Sequence, residues 1–234
     1  DLGCRRPPRG ARVCRGARSI AESLRARLGR AVKTQGARAG RQQAYVRLSN
    51  GGVEADVQAL VAQAQDQLDG VDVLINNAGL GGSTRIVDMD DAEWSRVIDI
   101  SLTGTFRMTR AMLPHMQARG RGAIVNNASV LGWRAQAEQA HYAAAKAGVM
   151  ALTRCAALEA SPYGVRINAV APSIAMHDFL KKSAPADLLN QLASREAFGR
   201  AAEVWEVANV MVFLASDYAS YMTGEVLSVS SQHA

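Results

Sequence analysis

The chain has 234 residues, of which 48% are hydrophobic, so it is long enough for one domain with a sizeable core. No apolar run of 18 residues suggests a membrane-spanning helix, and three cysteines at irregular spacing favour a reducing, cytoplasmic environment over a disulfide framework. The net charge of +6 is uneven: residues 1–52 carry 13 basic and two acidic side chains, and residues 53–234 carry 14 basic and 19 acidic ones. A mildly acidic body argues against binding to nucleic acid.

Residues 1–52 do not follow the pattern of a folded domain. They contain 12 arginines and few large apolar residues, a composition typical of disordered segments. Two interpretations are open. The segment is either translated from a shifted reading frame or degenerate, or it is a basic arm that contacts a polyanion. The arm carries no recognisable nucleic-acid-binding motif, so we favour the first interpretation. We therefore divide the chain into an atypical segment, 1–52, and a folded body, 53–234.

A helix, a strand and a glycine-rich turn are predicted in succession after residue 52. Val57 and Leu60 belong to an apolar pattern at helical spacing, and Gly70 is placed to end that helix. Residues 71–76 (VDVLIN) are nearly all apolar, as in a buried parallel strand. Residues 77–83 (NAGLGGS) then predict a turn.

The next helix is predicted to begin at Asp90, whose carboxylate can cap it, with Glu93 three residues later. Ser101 falls on the apolar stripe of this helix, and a buried hydroxyl there needs a hydrogen-bond partner. The residues expected to form the buried stripe are Trp94, Val97, Ile98, Leu102 and Phe106.

The rest of the chain alternates strands with helices. We predict strands at residues 123–129, 165–171 and 225–230, and helices at residues 141–160 and 204–216. The strands are apolar throughout, which is typical of strands covered on both faces. The pattern therefore predicts a doubly wound α/β fold with a parallel sheet.

Tyr142 and Lys146 lie four residues apart in the helix predicted over 141–160, so their side chains share one face. The ordinary pKa of tyrosine is about 10, and a nearby ammonium group lowers it by favouring the phenolate. The pair is therefore a candidate general acid and base. Ser129 ends a predicted strand, where open α/β sheets bind ligands. We expect His141 to face away from this site, and the four histidines show no metal-ligand spacing.

Residues 53–230 resemble the short-chain dehydrogenase/reductase family. The matching strings are VDVLINNAG, GAIVNNAS, YAAAK, RINAVAP and FLASDYASYMTGEVL. The resemblance implies a Rossmann-like fold, NAD or NADP as cofactor, interconversion of a secondary alcohol and a ketone on a small molecule, and a homodimer or homotetramer. The strings APSIAMHDFL and SVSSQHA further resemble bacterial members near 3-oxoacyl reductases and steroid-degrading hydroxyacyl-CoA dehydrogenases. That similarity implies an acyl-thioester or steroid-derived substrate.

The resemblance also implies roles for individual residues. Ser129 would hydrogen-bond the substrate oxygen, Tyr142 would exchange the proton, and Lys146 would lower the pKa of Tyr142 and bind the nicotinamide ribose. Ser101 stands where the family has a catalytic asparagine, and it either holds a relay water or bonds back to its own helix. Besides Tyr142 and Lys146, the residues implied to bind the cofactor are Asn76, Ala78, Gly79, Pro172, Ser173 and Ile174.

The sequence departs from the family pattern at other places as well. Residues 1–52 contain no counterpart of the glycine-rich loop that lets the backbone approach the cofactor pyrophosphate. Ser173 replaces the glycine of the usual Pro-Gly pair, and Ile174 follows without the usual spacer. Two hypotheses are therefore open: an active NAD(P)-dependent oxidoreductase, and an impaired member that keeps the site and cannot bind the dinucleotide.

Overall fold

The computed structural model describes residues 54–68, 70–177, 180–181 and 185–231. The predictions for residues 1–52 lie outside this part of the chain. The strands are β1 (Val73–Asn76), β2 (Gly122–Asn127), β3 (Val165–Pro172), β4 (Ala175–Met176), β5 (Ala202–Glu203) and β6 (Val226–Val229). Four of them form one parallel sheet in the order β1-β2-β3-β6, and β4 pairs with β5 separately.

Helices cover both faces of the parallel sheet. They are α1 (Glu54–Leu68), α2 (Asp91–Ile98), α3 (Gly104–Arg119), α4 (Ala140–Ala160), α5 (Ala186–Ser194) and α6 (Val204–Ala215). Ile124 of β2 packs with Met116 of α3 and Ala157 of α4, whereas its neighbour Val125 packs with Met211 of α6. Successive strand residues thus bury on opposite faces, which confirms the doubly wound, Rossmann-like α/β fold.

Among the described residues, no helix is both long enough and apolar enough to cross a bilayer.

The helix after Asp90 begins as predicted but changes its geometry midway. The Asp90 carboxylate accepts a hydrogen bond from the Glu93 N–H at 2.7 Å, which caps α2. A π-helical turn, Asp99–Thr103, then joins α2 to α3. Such single π turns are frequently found at functional sites.

The predicted apolar stripe of this helix is wrong at its two aromatic positions. Trp94 is 41% exposed and Phe106 is 40% exposed, whereas Val97 and Ser101 are fully buried. Thr105 continues the buried line at a spacing of four residues. A π turn holds more residues than an α turn, so beyond it the buried line runs through small polar side chains and Phe106 lies beside that line. The exposure of Trp94, which precedes the π turn, has no such explanation.

The register of the parallel strands brings three strand ends to one edge of the sheet. Asn76 of β1 lies opposite Asn126, and Asn127 of β2 lies opposite Val170 of β3. The loops that follow these strands therefore emerge together. In open α/β sheets this carboxyl edge is where ligands bind.

Candidate active site

Ser129 follows β2 and turns the chain into a short helical segment, Val130–Gly132. Its backbone is extended, and its Oγ accepts a hydrogen bond from the Leu131 N–H at 3.2 Å. The same hydroxyl hydrogen-bonds the Tyr142 side chain, and this contact lowers the pKa of Tyr142. Ser129 is buried. Its hydroxyl is therefore held in one orientation, next to the tyrosine hydroxyl.

Lys146 is almost completely enclosed, one turn after Tyr142 on α4. It is 2% exposed, and its Nζ donates a hydrogen bond to the Asn127 carbonyl oxygen at 2.6 Å. The Nζ lies 5.5 Å from the centroid of the Tyr142 ring. Burial lowers the pKa of Lys146 from 10.5 to about 8. The side chain therefore stays mainly charged at neutral pH and can release its proton in mildly alkaline solution.

The pKa of Tyr142 moves in the opposite direction from the one expected. Burial raises it above the ordinary value of 10, and this outweighs the hydrogen bond from Ser129. The lowering expected from Lys146 is not found, since this lysine, with a pKa of about 8, has lost its charge before a phenol with a pKa above 10 ionises. In this structure the site favours the protonated phenol.

Asn76 is buried at the end of β1, and its side-chain amide hydrogen-bonds residues of neighbouring elements. Its Nδ2 donates to Thr109 Oγ1 at 3.2 Å and to Asn126 Oδ1 at 2.9 Å. Asn126 in turn donates to Thr153 Oγ1 on α4 at 2.9 Å. The ladder of Asn76, Asn126 and Thr153 ties two strands to the helix that carries Tyr142 and Lys146.

Ala78 and Gly79 are exposed in the loop after β1, and this loop closely approaches Lys146. A Cβ atom added to Gly79 would lie 3.1 Å from Lys146 Nζ. Such a separation is tighter than most Cβ contacts in proteins, so glycine favours the close approach of the loop to the lysine.

Ser101 lies beneath this loop on the π turn. Its hydroxyl donates to the Leu80 carbonyl oxygen and accepts from the Leu80 N–H, both at 3.0 Å. Its own carbonyl oxygen accepts a hydrogen bond from the Thr105 hydroxyl. The side chain therefore bonds to the loop rather than back to its own helix.

Asn127 is a site residue that the sequence reasoning missed. Its carbonyl oxygen binds Lys146, and its Nδ2 donates to Asn77 Oδ1 at 2.9 Å. Its own Oδ1 is buried and has no hydrogen-bond partner within the described ranges. An orphaned buried acceptor beside a lysine fits a hydroxyl-bearing ligand such as a ribose. The available signal was its place as the last residue of β2.

Pro172, Ser173 and Ile174 lie at the end of β3, on the same edge of the sheet. The Ser173 N–H donates to the Val229 carbonyl oxygen at 3.2 Å, and the Ile174 carbonyl oxygen accepts from the Ala202 N–H at 2.9 Å. The backbone is thus anchored despite the missing glycine. These two hydrogen bonds join Ser173 and Ile174 to β6 and β5, and not to the cluster of Ser129, Tyr142 and Lys146.

Comparisons with known proteins show the family to which the chain is similar. The profile of a family described as enoyl-(acyl carrier protein) reductase matches residues 13–231. A Mycobacterium tuberculosis protein, "(5R,7aS)-5-hydroxy-7a-methyl-1-oxo-2,3,5,6,7,7a-hexahydro-1H-indene-carboxyl-CoA reductase", is 65% identical over 180 residues, which is 76% of this chain and 69% of the relative. A 3-oxoacyl-acyl-carrier-protein reductase of Vibrio cholerae is 38% identical over 174 residues, which is 74% of this chain and 71% of the relative.

A solved structure gives the same result. The crystal structure of a short chain dehydrogenase from Mycobacterium smegmatis is 55% identical and superposes with a TM-score of 0.70, covering 83% of this chain and 72% of that one. The matched family segment includes every site residue described above.

Proposed function

Because the chain belongs to the short-chain dehydrogenase/reductase family, we propose that it interconverts a secondary alcohol and a ketone on an acyl-thioester or steroid-derived substrate. The family uses NAD or NADP, and the choice between them is left open. The observation that carries the proposal is the contact of Ser129 with Tyr142, one turn from the enclosed Lys146. The names of both relatives support it, since one reductase acts on a ring compound bearing carboxyl-CoA and the other on an acyl-carrier-protein thioester.

In the proposed mechanism, two hydroxyl groups act on one substrate oxygen. Ser129 donates a hydrogen bond to that oxygen and stabilises the negative charge that develops on it during ketone reduction. Tyr142 gives its proton to the same oxygen, or accepts that proton when the alcohol is oxidised. A nicotinamide cofactor, when held at this edge of the sheet, would supply or accept the hydride. Since burial keeps the phenol protonated, Tyr142 is prepared for the reductive direction.

Lys146 and Asn127 are the residues best placed to hold the ribose of the cofactor. The ammonium group offers donors, and the orphaned Asn127 Oδ1 offers an acceptor. The positive charge on Lys146 also stabilises the Tyr142 phenolate after proton transfer. The backbone at Ala78, Gly79, Pro172, Ser173 and Ile174 completes the proposed cofactor surface.

Ser101 has a positioning role in this proposal. Its hydroxyl hydrogen-bonds both the backbone N–H and the carbonyl oxygen of Leu80, next to the glycine that approaches Lys146. It therefore orients the loop after β1 rather than contacting the reacting atoms.

A second candidate is an impaired family member that keeps this cluster and does not bind the dinucleotide. It rests on the absence from residues 1–52 of a sequence counterpart of the glycine-rich loop. Fluorescence titration of the full chain with NADH and with NADPH separates the two candidates. Binding at micromolar cofactor supports the enzyme and overturns the impaired member, and no binding at millimolar cofactor does the reverse.

We also propose that the protein assembles as a homodimer or homotetramer through α3 and α4. Both helices carry large apolar side chains toward solvent in the single chain, with Phe106 40% exposed and Leu158 76% exposed. Exposed apolar patches of this kind commonly mark protein interfaces.

A further inference from the structure

The histidine that precedes the proposed catalytic tyrosine is buried, and the mechanism does not use it. We propose that His141 is a positioning residue, which together with Glu93 holds the loop of residues 79–84 over Tyr142 and Lys146. The inference rests on the proposed function and extends it to residues outside the catalytic cluster.

From the sequence we expected His141 to face away from the site, and in the structure its ring lies against Gly82 and Glu93. Its side chain is fully buried, and neither ring nitrogen has a hydrogen-bond partner in the described part of the chain. Its Nε2 lies 3.4 Å from Glu93 Oε1, and Glu93 is 23% exposed. A buried polar ring is costly unless something compensates for its lost hydration. The Glu93 carboxylate is the group placed to do so.

The backbone of the loop rests directly on this pair. A Cβ atom added to Gly82 would lie 2.6 Å from His141 Nε2 and 3.0 Å from Glu93 Oε1. Real Cβ atoms do not approach other atoms this closely, so only glycine lets the chain lie against the imidazole. The position of the ring therefore sets the position of the loop.

Further hydrogen bonds tie the same loop to α2 and to the segment before α4. Thr84 Oγ1 donates to Glu93 Oε1 at 2.8 Å, and the Thr84 N–H donates to the Glu138 carbonyl oxygen at 3.1 Å. Ser83 Oγ donates to Glu138 Oε2 at 2.6 Å. Glu138 has a φ of +65°, which is uncommon for a residue other than glycine. These contacts compensate for that unfavourable backbone conformation.

The loop held in this way forms the wall next to the catalytic side chains. A Cβ atom added to Gly81 would lie 3.6 Å from the Tyr142 ring, and one added to Gly79 would lie 3.1 Å from Lys146 Nζ. A loop released from His141 would change the space in which substrate and cofactor meet these two residues. Because displacements of about 1 Å can lower a rate by about 100-fold, the buried pair contributes to the rate of reaction without touching the reacting atoms.

Hydrogen exchange of the full chain without cofactor tests the contact itself. We compare the wild type with His141→Leu, which removes both nitrogens, with His141→Gln, which keeps a donor, and with Glu93→Gln. The expected result is exchange at the Leu80 and Thr84 amides that is at least about tenfold faster in His141→Leu and Glu93→Gln, and close to wild type in His141→Gln. Asp91→Asn, a matched change at an exposed residue of α2, should leave exchange unchanged.

The kinetic part of the test measures kcat and KM for ketone reduction in the same variants. We expect His141→Leu and Glu93→Gln to lower kcat at least about tenfold with a much smaller change in KM, and His141→Gln to restore most of it. The inference is overturned if hydrogen exchange in the loop is unchanged in both His141→Leu and Glu93→Gln. It is also overturned if exchange is faster in these variants but kcat stays at the wild-type value. A wild type that shows the loop contact but no turnover overturns the proposed function instead. Glu93→Gln alters a partly exposed side chain, so it keeps the test decisive if His141→Leu does not fold.

Discussion

At the scale of single residues, burial acts on two neighbouring groups and favours the neutral form of each. It raises the pKa of the Tyr142 phenol and lowers that of the Lys146 ammonium group to about 8. The tyrosine therefore keeps the proton that ketone reduction consumes. The lysine stays charged at neutral pH, and burial of this charge lowers the free energy of unfolding.

The stability cost of Lys146 predicts a specific dependence on pH. The pKa of this lysine falls from 10.5 in the unfolded chain to about 8 in the folded one, so the unfolded chain binds the proton more tightly. The cost of burial is full below pH 8 and declines as the pH rises toward 10.5. Between about pH 7 and pH 9.5, the free energy of unfolding of the wild type should rise by about 2 kcal/mol relative to that of Lys146→Met.

Urea denaturation of both proteins across this pH range measures the difference. Lys181→Met, which alters an exposed lysine, is the matched control and should track the wild type. A constant difference between wild type and Lys146→Met would show that Lys146 is not buried as a charged group.

At the scale of secondary-structure elements, α4 joins the parallel sheet to the residues of the candidate site. It carries His141, Tyr142 and Lys146 near its beginning and Thr153 further along. Thr153 completes the ladder of Asn76, Asn126 and Thr153, which joins this helix to β1 and β2. The ladder therefore fixes the distance between the sheet edge and the catalytic face of the helix.

Replacing the middle of this ladder should loosen the site. Asn126→Ala removes one donor and one acceptor from a fully buried position, and we expect it to lower the free energy of unfolding by about 1–3 kcal/mol. Thermal or urea denaturation gives the value. The exposed residue Asn190 on α5 provides the control, since Asn190→Ala should change stability by less than about 0.5 kcal/mol. A similar small change for Asn126→Ala would mean that the ladder contributes little.

Local patterns predicted much of the fold and the centre of the site. Asp90 and Glu93 are close in sequence, so the helix cap they form could be predicted from the sequence. The spacing of Tyr142 and Lys146 likewise predicted a shared helix face. The π turn at Asp99–Thr103 could not be predicted, because its hydrogen bonding departs from the helical period on which the apolar stripe was based.

The rest of the site depends on contacts between distant parts of the chain. Asn127 lies within the string GAIVNNAS and His141 directly precedes YAAAK, but neither string reports that these residues lie beside Lys146 and Glu93. The direction of the Tyr142 pKa shift also depends on burial, which spacing alone does not report. Tertiary structure was therefore needed to find the groups around the catalytic residues, although their types were visible in the sequence.

At the scale of the whole molecule, the basic character of the chain belongs to its first part. Residues 1–52 carry 13 of the 27 basic side chains and two of the 21 acidic ones, which leaves the site within an acidic body. Within the described residues, the ends of three strands lie at one edge of the sheet. Titration of the full chain with NADH and NADPH is the test of what residues 1–52 contribute to cofactor affinity.

The proposed assembly through α3 and α4 can be tested on the outer surface of α4. Leu158 is 76% exposed in the single chain, and burying a charge there would oppose association. We expect Leu158→Asp to shift the wild-type dimer or tetramer to a smaller species in light scattering coupled to size exclusion. Ile86→Asp makes the same change at a residue 74% exposed elsewhere, and it should leave the mass unchanged. A monomeric wild type would contradict the proposed assembly.

We infer that Tyr142 exchanges the proton in an NAD(P)-dependent reaction. The test is the rate at which the protein oxidises reduced cofactor in the presence of a ketone-bearing acyl-CoA. We predict that Tyr142→Phe lowers kcat at least about 100-fold, because general acid catalysis is lost, while its affinity for the cofactor stays near that of the wild type. Tyr163→Phe, at a half-exposed tyrosine, should retain wild-type activity. A Tyr142→Phe variant that reduces the ketone at close to the wild-type rate would contradict the account.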